Sequence, residues 1–130
     1  VQQDRVTVLA RRILIIEDED DIREVAQLTL EAVGGWQVST PASASEGLTK
    51  AEVEQPDAIL LDIMMPNMDG LATFQQLRTN PATWHIPVIV LTAKLTNLKR
   101  FAQIGVAAML AKPFNPMSLA RQVATALGWS

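Results

Sequence analysis

The stretch Ala58-Ile59-Leu60-Leu61-Asp62-Ile63-Met64-Met65-Pro66-Asn67-Met68-Asp69-Gly70 decides how the chain folds around it. An unbroken apolar run of strand length closes on one carboxylate, Asp62, and then gives way to a turn marked by Pro66, Asn67 and Gly70. A run without polar alternation suits a strand covered on both faces, as in a parallel sheet. Ligands of open parallel sheets bind beyond the carboxyl ends of the strands, and Asp62 falls there. Taken alone, Asp62 serves equally well as the cap of the next helix, because Asp before a turn is common.

On both sides of this run, short apolar segments alternate with helical periods. Arg12-Ile13-Leu14-Ile15-Ile16 reads as a buried strand, followed by Glu17-Asp18-Glu19-Asp20-Asp21. Ile22, Val25, Ala26, Thr29, Leu30 and Val33 then share one helical face until Gly34-Gly35 stops it. Trp36 to Thr40 is a shorter strand. Ser43-Ala44-Ser45-Glu46 has the capping-box pattern of a helix that buries Ala44, Leu48 and Ala51. Beyond Gly70, Leu71, Phe74 and Leu77 mark a third helix, broken at Asn80-Pro81. Pro87 to Leu91 is a strand ending at Thr92-Ala93. A helix with Leu98, Phe101 and Ala102 inward runs to Gly105, Val106 to Leu110 is the fifth strand, and Asn115 with Pro116 opens a last helix burying Leu119, Ala120, Val123 and Leu127 before Gly128. Five such βα units with short connections predict an α/β fold: a doubly wound parallel sheet, helices on both faces, right-handed crossovers.

Composition excludes several classes. A chain of 130 residues, 48% hydrophobic and 19% charged, has the balance of one globular domain. Its apolar runs are too short to span a bilayer, no signal-peptide pattern opens it, and a cytoplasmic location is the default. With no cysteine, neither a disulfide framework nor a thiolate metal site is available. A net charge of -3 without a concentrated Lys/Arg face argues against direct nucleic-acid binding. His85, the single histidine, reads as a solvent-facing loop residue, and Trp36, Trp84 and Trp129 are scattered and define no stacking platform.

In a parallel sheet, the ends of strands one, three, four and five bring Glu17-Asp18, Asp62, Thr92 and Lys112 to one edge. Three gathered carboxylates raise one another's pKa unless a cation is bound. An all-oxygen ligand set suits a hard ion, and Mg²⁺ is the natural candidate. A lysine and a hydroxyl beside it supply the positive charge and the donor that phosphoryl transfer needs. Singly, Thr92 reads as a turn residue, Lys112 as a solvated strand end, and Glu19 to Asp21 as an acidic helix start favoured by the dipole.

Glu17-Asp18, Leu60-Leu61-Asp62 through Met65-Pro66 to Asp69-Gly70, Leu91-Thr92-Ala93 and Lys112-Pro113-Phe114, in this order, closely resemble the receiver domain of two-component response regulators, from about Ile13 to Leu127. The resemblance implies a flavodoxin-like strand order 2-1-3-4-5 in a three-layer αβα sandwich. It implies Asp62 as phosphoacceptor from a phosphohistidine, and Mg²⁺ on Glu17, Asp18, Asp62 and the Met64 carbonyl. Lys112 would pair with the phosphoryl group or with Asp62, Thr92 would move to bond a phosphoryl oxygen, and Lys112-Pro113 would be cis. The partners implied are a histidine kinase or histidine phosphotransfer protein and a downstream target.

Two features depart from the family pattern. Met109 stands where relatives carry an aromatic switch residue, three positions before the lysine. Val106-Ala107-Ala108-Met109-Leu110-Ala111 is also unusually apolar, so the face of helix four, strand five and helix five is expected to form a homodimer or dock a partner. Residues 1–11 read as an extension and 12–130 as the receiver domain, with no output domain in this chain; if this is the full protein, it is expected to act by binding others. The resemblance implies a phosphoacceptor that promotes its own phosphorylation and dephosphorylation rather than an enzyme. A metal-dependent phosphatase with an Asp-x-Asp pair is the main rival, but Met64 occupies the place of its general acid. A scaffold that no longer takes phosphate is a second rival, and flavin or nucleotide binding lacks a Gly-rich loop after strand one.

Overall fold

In the computed structural model, which describes residues 11–65, 68–93 and 103–129, five strands form one parallel sheet. They are β1 (Arg12–Ile16), β2 (Gln37–Ser39), β3 (Ala58–Asp62), β6 (Val88–Thr92) and β7 (Ala108–Ala111), while β4 (Met64–Met65) and β5 (Met68–Asp69) pair as a separate antiparallel ribbon. The sheet order β2-β1-β3-β6-β7 is the expected 2-1-3-4-5. Helices α1 (Asp20–Ala32), α2 (Ala44–Glu54) and α3 (Gly70–Thr79) lie between strands in sequence, and α4 (Leu119–Leu127) follows β7. The expected helix with Leu98, Phe101 and Ala102 falls outside the described residues, as do residues 1–10.

The apolar runs sort into two cores because side chains of a strand alternate across the sheet. Ile13, Ile15, Leu60, Ile89 and Leu91 face Ala26 and Leu30 of α1 and Leu119 and Val123 of α4. Leu14, Ile16, Ile59, Leu61 and Val90 face Ala51 of α2 and Phe74 and Leu77 of α3. Ala44 and Leu48 pack against this second core, as the capping-box reading of α2 requires. The cap itself forms: Ser43 Oγ accepts the Glu46 N–H at 3.1 Å, while Glu46 Oε1 accepts from Ala42 N at 2.7 Å.

Three local features differ from the sequence reading. The segment after Asp62 is not a plain turn, since it folds back as the β4–β5 ribbon. The last helix starts at Leu119, not at Pro116. Asn115 instead closes a turn, its Oδ1 accepting from Met117 N at 2.9 Å and its carbonyl from Ser118 N at 3.0 Å. Thr29 of α1 donates to the Pro116 carbonyl and ties this turn to α1, which shares a core with α4. Finally, Trp36 and Trp129 are not scattered: they meet edge to face at 5.1 Å, with the Arg11 guanidinium 4.2 Å over the Trp129 ring. His85 is exposed, as read.

Candidate phosphoryl-accepting site

The register of the sheet assembles the site. Ile16 pairs with Leu61, Asp62 with Leu91, and Thr92 with Ala111, so the strand ends stop at nearly one level. Glu17 leaves β1, Asp62 ends β3, Thr92 ends β6 and Lys112 follows β7 on that edge. The Lys112 N–H donates to the Thr92 carbonyl at 2.9 Å and the Ile63 N–H to the Leu91 carbonyl at 3.2 Å, which joins the three exits by backbone bonds. The Lys112-Pro113 peptide is cis.

Within this frame one ammonium is ringed by carboxylates. Lys112 Nζ lies 2.8 Å from Glu17 Oε1, 2.8 Å from Asp62 Oδ2 and 3.3 Å from Glu19 Oε1. The Glu17 and Asp62 side chains are 0% and 1% exposed and that of Lys112 is 9%, whereas Glu19 is 60% exposed. Glu17 Oε2 also accepts the Glu19 N–H at 3.0 Å, and its carbonyl accepts from Arg23 Nη1 at 2.9 Å. Arg23 is itself held by the Asp20 carboxylate. Burial pushes the Glu17 carboxyl up to about 7 against the opposing pull of Lys112 and the Glu19 N–H, with the Asp62 charge adding to the rise. Burial works to lower the Lys112 ammonium, but hydrogen bonds and charge from Asp62 and Glu17 outweigh it and raise it above the ordinary lysine value.

Glu17, Asp18 and Asp62 each offer an oxygen within 4.8 Å of the others. Asp18 Oδ1 is buried and has no hydrogen-bond partner, a condition that proteins avoid unless a further group completes the site. When ionised, these carboxylates outnumber the one ammonium, and a divalent cation offsets the excess negative charge. Hard oxygen donors and this orphaned atom therefore fit a Mg²⁺-type ion.

Two contributors escaped the sequence reading. Glu19, taken there as a solvated helix start, reaches Lys112 across the sheet. Gly70, taken as a turn marker, opens α3 so close to the end of β3 that a Cβ would lie 2.5 Å from Ile63 Cα and 2.6 Å from the Asp62 carbonyl oxygen. A glycine followed by helical periodicity after an acidic strand end was the only available signal. Thr92 is buried at the end of β6. Met109 packs with the core under α2 and α3, opposite Val90.

A 2-1-3-4-5 parallel sheet with a lysine-bridged acidic pocket at its carboxyl edge defines a doubly wound domain built to handle a charged ligand at that edge. The chain belongs to the response regulator receiver domain family, which it matches over residues 13–124. It is thus a receiver domain of the two-component signalling class. It is 35% identical over 115 residues to the alkaline phosphatase synthesis transcriptional regulatory protein PhoP of Bacillus subtilis, covering 87% of this chain and 47% of that protein. It is 36% identical over 119 residues to the response regulator PleD of Caulobacter vibrioides, covering 88% of this chain and 26% of that one. The chain therefore spans about half or less of these curated relatives. Among solved structures, the chemotaxis response regulator CheY4 of Vibrio cholerae superposes with a TM-score of 0.81 at 28% identity, covering 91% of this chain and 99% of that one. The receiver domain of the sensor histidine kinase PA1611 of Pseudomonas aeruginosa, with magnesium coordinated in its active-site cleft, gives 0.79 at 30% identity, with 92% and 99% covered.

Proposed function

We propose that Asp62 accepts a phosphoryl group from the phosphohistidine of a histidine kinase or histidine phosphotransfer protein. The observation that carries this reading is the 2.8 Å contact between Asp62 Oδ2 and Lys112 Nζ, beside the partnerless, buried Asp18 Oδ1. The nucleophile is an oxygen of the Asp62 carboxylate, which Lys112 orients. A bond forms between that oxygen and phosphorus as the donor's phosphorus–nitrogen bond breaks, and the imidazole keeps the electron pair. Lys112 then faces the phosphoryl oxygens, whose charge it balances in a water-poor setting. The Thr92 hydroxyl, at the adjacent strand end, donates to another of those oxygens.

Glu17, Asp18 and Asp62, with the Met64 carbonyl, are the groups that would hold Mg²⁺. When bound, the ion neutralises charge on the transferring group. Following Thr92, Met109 adjusts its packing under the sheet edge; its unbranched, polarizable chain suits two positions. The readable surface lies at β7, an edge strand whose last residue Ala111, like Ala107 just before the strand, is exposed, and it serves a downstream protein or a second copy of the chain. Among the described residues no helix is long and apolar enough to cross a membrane, and we place the domain in the cytoplasm by family. The test is intact mass after treatment with acetyl phosphate and Mg²⁺. One phosphoryl group should be gained, only with the metal and not in Asp62→Asn, and it should be lost in alkali as an acyl phosphate is. An alkali-stable adduct would place the phosphate elsewhere.

A further inference from the structure

We propose that Glu19 is a positioning residue for Lys112: it receives the ammonium when a divalent cation claims the carboxylates that Lys112 otherwise occupies. The inference rests on the metal reading above and adds a residue to it. In the structure Lys112 Nζ donates to Glu17 Oε1 and Asp62 Oδ2, both at 2.8 Å. Those two carboxylates, with Asp18, are the ones the cation needs. Cation and ammonium thus draw on the same two carboxylates, and an ammonium displaced within a pocket this closed costs free energy unless another acceptor takes it.

Glu19 is placed to be that acceptor. Its Oε1 is 3.3 Å from Lys112 Nζ, the longest of the three contacts, and its side chain alone among the three has water around it. It can therefore follow the ammonium toward the rim without becoming a buried unpaired charge. Its position in α1 supports this role. Glu19 is the N-cap residue, with extended backbone angles suited to capping, yet its side chain makes no capping bond. A residue placed to satisfy the helix turns its carboxylate across the sheet to Lys112 instead, while its N–H fixes Glu17 Oε2 at 3.0 Å.

The experiment is calorimetric titration of the full chain with Mg²⁺ for the wild type, Glu19→Gln, Glu19→Asp, Lys112→Met and the double variant Glu19→Gln/Lys112→Met. Glu19→Gln should weaken Mg²⁺ about three- to fivefold, the scale of one part-exposed ion pair. Glu19→Asp keeps the charge but shortens the arm and makes a better cap, so it should weaken Mg²⁺ as Gln does. Lys112→Met should tighten Mg²⁺, and in that background Glu19→Gln should matter less than twofold. Equal losses in both backgrounds, or wild-type affinity in Glu19→Asp, would mean that Glu19 acts only as a distant negative charge, and the proposal falls while the metal site stands. A wild type that binds no Mg²⁺ overturns both.

Discussion

Removing the ammonium of Lys112 leaves Glu17 and Asp62 facing each other with almost no water to screen them. Breaking a buried pair from one side costs more than the pair contributes, because the remaining charge is stranded. Lys112→Ala should therefore lose about 3 kcal/mol of unfolding free energy at pH 8 in EDTA, read from denaturant midpoints. Part of that loss should return on adding Mg²⁺. Asp62→Asn acts in the opposite sense. It removes one of the charges that raise the Glu17 carboxyl, so the metal-free protein should be at least as stable as the wild type while taking no phosphate.

Among the elements, α3 is the most tightly constrained by the site. Its first residue, Gly70, approaches the Asp62–Ile63 backbone, so a side chain there meets main chain rather than a movable side-chain tip. Gly70→Ala should cost about 2 kcal/mol or more and should also lower phosphoryl uptake, because relief of the clash displaces the Asp62 carbonyl. Ser43→Ala at the start of α2 removes only a cap and should cost about 1 kcal/mol, with uptake unchanged; paired denaturation and mass measurements separate the two. The strands were legible because Ile13–Ile16, Ala58–Leu61 and Val88–Leu91 are uninterrupted apolar runs between turn signals, and α/β alternation leaves few topologies open. That gathering of Glu17, Asp18, Asp62, Thr92 and Lys112 followed from parallel strands alone. What stayed hidden depends on contacts between distant positions: Glu19 with Lys112, and Trp36 with Trp129. The late start of α4 was hidden for a different reason. Asn-Pro reads equally as a helix opening or as a closed turn, and the Thr29 hydroxyl on the Pro116 carbonyl favours the turn.

For the whole molecule, the site makes stability depend on pH and on divalent cations together. Glu17 titrates near 4.5 in the unfolded chain and about 7 in the folded one, so between those values the folded state holds the extra proton. Its contribution is fully present below about 4.5 and is lost as pH rises through about 7. Each unit of displacement is worth about 1.4 kcal/mol, so the loss across the window is on the order of 3 kcal/mol at most. In EDTA, denaturant midpoints should accordingly fall between pH 5 and pH 8, and Glu17→Gln, which carries no charge at either end, should flatten that slope. A divalent cation needs the same carboxylate ionised, so its stabilisation by mass action should grow with pH over the same window. The EDTA and Mg²⁺ curves should therefore diverge on raising the pH and converge toward pH 5. Parallel curves would mean that the group titrating in the folded protein is not the one that the cation uses.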